Sequence, residues 1–185
     1  MDKKLQKYIE SYDEIKTDKT YELKANGGMS VLINQDTPYE VMIENETFQL
    51  GSFQAILLNA YENSIYINSN ENINLTAVRF KGAGASFFYE EKMEELMYNP
   101  NEPIFLENNI LENKLDSYFK KRFKASTLPF NIMKIIDLLD TQKSDYNIDE
   151  VLAIANVPRK ILDKLFRLKV GMTFKTYASI RELIN

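Results

Sequence analysis

The side chains best able to do chemistry in this sequence lie near its end. Arg159, Lys160, Asp163, Lys164 and Arg167 recur at the spacing that places side chains on one face of a helix. Four cations and one carboxylate on such a face suit contact with a polyanion better than bond-breaking chemistry. A second basic run, Lys120-Lys121-Arg122 with Lys124, reads either as a solvated helix face or as a phosphate contact. Glu90, Glu91, Glu94 and Glu95 offer carboxylates, but their helical spacing reads as a solvated face and not as an acid–base pair. Gly82 and Gly84 follow a strand-like run, and a strand-to-helix turn explains them better than a phosphate loop. The 185 residues include no histidine and no cysteine. That composition excludes disulfides, thiol nucleophiles, the Ser-His-Asp triad and most zinc, copper and iron sites. The expectation is a protein that is not an enzyme and needs neither cofactor nor metal.

Those side chains need a scaffold, and the sequence supplies it in two unlike parts. The net charge of −4 divides into a front, residues 1–113, with 9 basic and 19 acidic side chains, and a back, residues 114–185, with 14 and 8. An acidic front joined to a basic back makes the back the candidate for nucleic acid. After a short amphipathic start (Leu5, Tyr8, Ile9, Tyr12), the chain to about Phe80 alternates in twos, most cleanly in Tyr39-Glu40-Val41-Met42-Ile43-Glu44. Asn26-Gly27-Gly28, Asp36-Thr37-Pro38 and Asn68 to Asn72 punctuate it as turns. Five to seven short strands in a small barrel or sandwich are expected. From about Phe87 the period becomes helical: an acidic helix over Tyr89 to Tyr98 carries Met93, Leu96 and Met97 on one side. It breaks at Asn99-Pro100-Asn101-Glu102-Pro103, and Leu111 to Phe123 and Ile132 to Leu139 then recur at helix spacing. The fold class is α+β: a small amino-terminal β barrel or sandwich over 1–110, and a helical region over 111–185. Tyr39, Phe48, Phe53, Tyr61, Tyr66, Phe80 and Phe87 fit a core better than a ligand pocket. The start lacks the apolar run of a signal peptide, and no stretch nears the roughly 20 apolar residues of a membrane span. A cytoplasmic protein with no membrane partner is expected.

The last forty residues are the most informative. Asn147-Ile148-Asp149-Glu150 can form a capping box opening a helix with Ile148, Val151, Leu152 and Ala155 on its apolar side. Asn156 suits the left-handed conformation that ends a helix, and Pro158 suits a first helical turn. The second helix turns Leu162, Leu165 and Phe166 inward and its five polar residues outward. This is the pattern of a helix-turn-helix. These residues, with Leu165-Phe166-Arg167 followed by Gly171, Thr173 and Tyr177, resemble the first helix-turn-helix of AraC-type transcription regulators. The likeness extends to Leu5 to Ile9, Ala77 to Gly84 and the stretch from Leu111 to Leu139. The chain differs from that pattern at Leu152, Asn156, Pro158 and Phe174.

The resemblance implies a cupin-like amino-terminal domain and a DNA reader. The helix from Arg159 to Leu168 would enter a major groove of double-stranded DNA, with Lys160 and Lys164 toward base edges and Arg159 and Arg167 on phosphates. Asp163 would either accept from a cytosine amino group or repel the backbone. Gly171 would close the helix in a left-handed cap. Such regulators carry two helix-turn-helix units, and the sequence stops at Arg181-Glu182-Leu183-Ile184-Asn185, where the joining helix would run. Only the first unit is expected, so a homodimer would help to recover affinity. The alternative is a non-catalytic ligand-sensing or protein-interaction module, with a small-molecule effector or other proteins as partners.

Overall fold

The computed structural model describes residues 1–99, 101–107, 109–124, 130–141 and 148–184. Alternation builds an outer sheet. In β4 (Tyr39–Ile43), Tyr39, Val41 and Ile43 are buried while Glu40 faces water. Its companions are β2 (Thr20–Leu23), β5 (Glu46–Leu50) and β7 (Ile65–Asn68), in the antiparallel order β2-β7-β4-β5. An inner sheet combines β1 (Ile9–Thr17), β3 (Ser30–Asn34), β6 (Ala55–Leu58), β8 (Ile73–Phe80) and β9 (Ile104–Leu106), in the antiparallel order β1-β8-β3-β6-β9. Every residue of β3 and β6 is buried, because both faces of this sheet are covered. Leu32, Ile56, Leu58 and Leu75 meet Tyr39, Val41 and Ile67 of the outer sheet. Val31, Ile33, Leu57, Val78 and Phe80 turn the other way, into a core shared with the helices.

Those helices are α1 (Met93–Tyr98), α2 (Asn109–Glu112), α3 (Leu115–Arg122), α4 (Phe130–Thr141), α5 (Ile148–Ala155), α6 (Arg159–Lys169) and α7 (Phe174–Ile184). The molecule is α+β in three layers: outer sheet, inner sheet and helices. The second core runs without a break across position 110, joining Leu5, Val31 and Phe80 to Ile136, Phe166 and Tyr177.

Several local expectations are corrected. Eight strands, not five to seven, lie in the alternating segment up to Phe80, and a ninth, β9, follows α1. The amphipathic start is one 3₁₀ turn, Leu5–Lys7, before β1, and β9 falls between the break at 99–103 and Leu111, where no element was expected. The run from Leu111 to Phe123 is divided at Asn113-Lys114 into α2 and α3. Tyr39 and Tyr61 belong to one core, Phe80 and Phe87 to the other, and Phe53 and Tyr66 are exposed, so the seven aromatics do not line a common pocket. Gly82 and Gly84 lie in a buried 3₁₀ segment, Gly82–Phe87. A Cβ on Gly84 would stand 2.0 Å from the Tyr8 carbonyl oxygen and one on Gly82 2.8 Å from Ile136, so both serve packing. Pro100 and the capping residue Asn147 lie outside the described residues. No helix among the described residues is long and apolar enough to cross a membrane.

Candidate functional site

The geometry around α6 follows from a short connection. Asn156, at φ 51°, ends α5, and its N–H donates to the Leu152 carbonyl at 2.9 Å. Pro158 stands one residue before α6, with φ −59° and ψ 147°, so it caps the helix and is not part of its first turn. Its carbonyl accepts from the N–H groups of Ile161 and Leu162 at 2.8 and 3.1 Å. α6 buries Leu162 and Phe166 completely, and Leu165 only partly. The Phe166 ring meets Phe174 edge-on at 5.4 Å and Tyr177 at 5.8 Å, which sets the angle between α6 and α7.

On the opposite side Arg159, Lys160, Lys164 and Arg167 are exposed and Asp163 is half-buried. The structure therefore brings all five expected side chains to one solvent-facing side of a single helix. No ion pair joins any of the four cations to a described residue. The earlier basic run is placed differently. Lys120 pairs with Asp2 at 2.6 Å, Arg122 pairs with Glu91 and lies over the Tyr89 ring, and Lys124 reaches Glu91 at 3.6 Å. Three of its four cations are thus engaged within the fold, which favours a structural role for that run.

One expected residue, Gly171, and several that spacing did not single out hold α6 in place. Gly171, at φ 99°, ends the helix, and a Cβ there would lie 2.0 Å from Asn59 Oδ1 and 3.1 Å from the Ala60 nitrogen. The Ser86 hydroxyl donates to the Lys169 carbonyl at 3.0 Å, and the Lys169 ammonium pairs with Glu90 at 3.2 Å. α7 is fixed by Asp140 of α4. This carboxylate accepts from the Tyr177 hydroxyl at 3.1 Å and pairs with Arg181 at 2.8 Å, while Arg181 also donates to the Asn26 carbonyl at 3.3 Å. Burial raises the Asp140 carboxyl above the ordinary aspartate value, and Arg181 and the Tyr177 hydroxyl oppose that rise. The spacing around Gly171 hinted at the first anchor, but nothing local in the sequence marks Asp140 as a partner of Arg181.

An open cleft of about 1090 Å³ lies beside this network. Tyr8, Phe87 and Met133 form apolar parts of its wall, and Lys7, Lys81, Glu10, Asp137, Asp140 and Arg181 its polar parts.

No protein-family model matches the chain, and no curated protein does. Solved structures do resemble it. ToxT from Vibrio cholerae, an AraC-family regulator, is 13% identical in its P21 crystal form, over 92% of this chain and 79% of that one, with a TM-score of 0.52. An apo ToxT variant from strain SCE256 gives a TM-score of 0.55 at 13% identity, over 92% and 78% of the two chains. ToxT from strain O395 bound to (E)-4-(8-methylnaphthalen-1-yl)but-3-enoic acid gives 0.52 at 13% identity, over 92% and 79%. At this identity the likeness is one of fold: a distantly AraC-like arrangement with a cupin-like amino-terminal domain.

Proposed function

We propose that this chain is a non-catalytic, DNA-binding transcription regulator of AraC type, with α5 and α6 as its helix-turn-helix. The observation that carries this reading is the row of four exposed cations on α6, Arg159, Lys160, Lys164 and Arg167, none paired with a described residue. Three cations of the neighbouring run, by contrast, are neutralised within the fold. A helix of this kind fits a major groove about 12 Å wide. Lys160 and Lys164 would face base edges and Arg159 and Arg167 the phosphates, while Asp163 would either accept from a cytosine amino group or repel the backbone. One such helix makes few contacts, so binding through α6 alone is weak and salt-dependent. Two copies on successive turns of the duplex, about 34 Å apart, would recover affinity.

The phosphate contacts can be tested on a fluorescein-labelled 30-bp mixed-sequence duplex by anisotropy. Replacing Arg159 and Arg167 together with alanine is expected to weaken binding about tenfold or more at 50 mM salt. The slope of log K against log salt should fall by about 1.8, since each lost phosphate contact removes about 0.9. An unchanged slope would remove α6 from the interface.

A small-molecule effector belongs to this reading as well. One ToxT structure holds an aryl butenoic acid, and here the cleft bounded by Lys7, Lys81, Arg181 and the nearby carboxylates offers a small polar compound room and charge of both signs. Thermal-shift screening against small organic acids and amines would find such a compound.

A further inference from the structure

Two exposed faces of this molecule carry opposite charge, and neither finds a counter-charge among the described residues. The outer-sheet strands β2, β4, β5 and β7 contain Glu22, Glu40 and Glu46 but no lysine or arginine. Their register sets Glu22, Tyr66 and Met42 side by side on the face turned away from the inner sheet. Glu40 stands two residues from Met42 on that same face. Tyr66 is 40% exposed, although Ile65 and Ile67 beside it are buried. Glu22 accepts from the Ser64 hydroxyl at 2.6 Å, and neither Glu22 nor Glu40 pairs with a described cation. On α6, Lys160, Ile161 and Lys164 share the solvent side, and Ile161 is 45% exposed. Each face thus has an apolar centre with charge on its rim, acidic on the sheet and basic on the helix.

We infer that α6 of one copy docks on the outer sheet of another, Ile161 against Tyr66 and Met42, Lys160 and Lys164 against Glu22 and Glu40. The inner sheet lies between the two faces, so a chain cannot join its own pair and the contact forms between copies. Because the faces differ, the contact is heterologous: it repeats from copy to copy and does not close as a two-fold dimer. Opposite charges on the rims set orientation, and the apolar centre supplies burial. Such an array covers the cations that would meet DNA, leaving only the α6 of its terminal copy free. Self-association of this kind does not require that α6 bind DNA; only its competition with DNA rests on that reading.

Sedimentation velocity on the full chain tests the array. At about 50 mM salt the weight-average sedimentation coefficient should climb with protein concentration, and at about 0.5 M, where screening shortens, the climb should be lost. Lys160→Gln with Lys164→Gln removes the basic face, and Glu22→Gln with Glu40→Gln the acidic one. Either pair should raise the concentration needed for assembly about tenfold or more. All four positions are exposed, so both variants should melt with the parent. Mixed in equal amounts, the two variants retain one intact pair of faces and should form a one-to-one dimer that grows no further. A parent that stays monomeric or stops at a dimer overturns the array. So does a variant that assembles like the parent, or a mixture that stays monomeric. If the array fails while Arg159→Ala with Arg167→Ala still weakens duplex binding, the DNA-binding reading stands without it. If the chain assembles and the arginine variant leaves duplex binding unchanged, the array stands and the DNA-binding reading falls.

Discussion

Replacing Gly171 with alanine is expected to destabilise the fold by about 3 kcal/mol and to lower Tm by about 6–12 °C. Two causes combine. The residue sits at φ 99°, where an L side chain is strained whatever the space around it. The added methyl would also fall 2.0 Å from Asn59 Oδ1 and 3.1 Å from the Ala60 nitrogen. Asn59 is 3% exposed, so its side chain has little room to swing away. Calorimetry on Gly171→Ala, Asn59→Ala and the double variant separates the causes. The double variant should recover the part due to the clash and keep the part due to the backbone. A Gly171→Ala protein that melts like the parent would show that the corner between α6 and α7 opens without strain. The DNA binding proposed for α6 should weaken along with stability, since this corner sets where α6 stands against the inner sheet.

Arg181→Met is expected to cost about 2 kcal/mol at pH 7, or about 4–8 °C in Tm, through loss of the partner of a mostly buried carboxylate. The cost should depend on pH. Asp140 already has a raised pKa, because burial outweighs the help of Arg181 and the Tyr177 hydroxyl. An acid whose folded pKa exceeds its unfolded value, about 3.9, binds more protons folded than unfolded across that window. Stability from this group therefore falls as pH rises through the folded pKa. Removing Arg181 lifts the folded pKa further, so the variant should lose most at neutral pH and approach the parent near pH 4. Urea titrations at pH 7 and pH 4 measure this, and an equal loss at both would show that Arg181 acts through packing and its bond to the Asn26 carbonyl, not through Asp140.

How much of this was legible depends on how each element is covered. β4 could be read because one face meets water: Glu40 marks it, and Tyr39, Val41 and Ile43 fill the other side. α4 could be read because Ile132, Ile135, Ile136 and Leu139 form one buried stripe. β3 and β6 show no period, since both of their faces are covered and every residue is buried. β9 is three residues long and draws its place from pairing with β6, not from any pattern of its own. Within the site, the basic face of α6 and the left-handed Asn156 followed from local spacing and backbone preference. The fastening of α6 by Asn59, Ser86 and Glu90, and of α7 by Asp140, arises from partners distant in sequence, where one-dimensional patterns carry no information. The likeness to ToxT extends over 92% of the chain at 13% identity, so it is a likeness of shape far more than of residues.

The core that joins Phe80 to Phe166 and Tyr177 has a thermodynamic consequence. The inner sheet shares this core with the helices and the other core with the outer sheet, so no layer can melt independently and the chain should unfold in one calorimetric transition, with equal van't Hoff and calorimetric enthalpies. Whatever binds the folded chain, at the cleft or at α6, then raises that one Tm by mass action. The protein becomes its own reporter: a ligand found by a thermal shift need not touch DNA to be registered, and DNA need not touch the cleft.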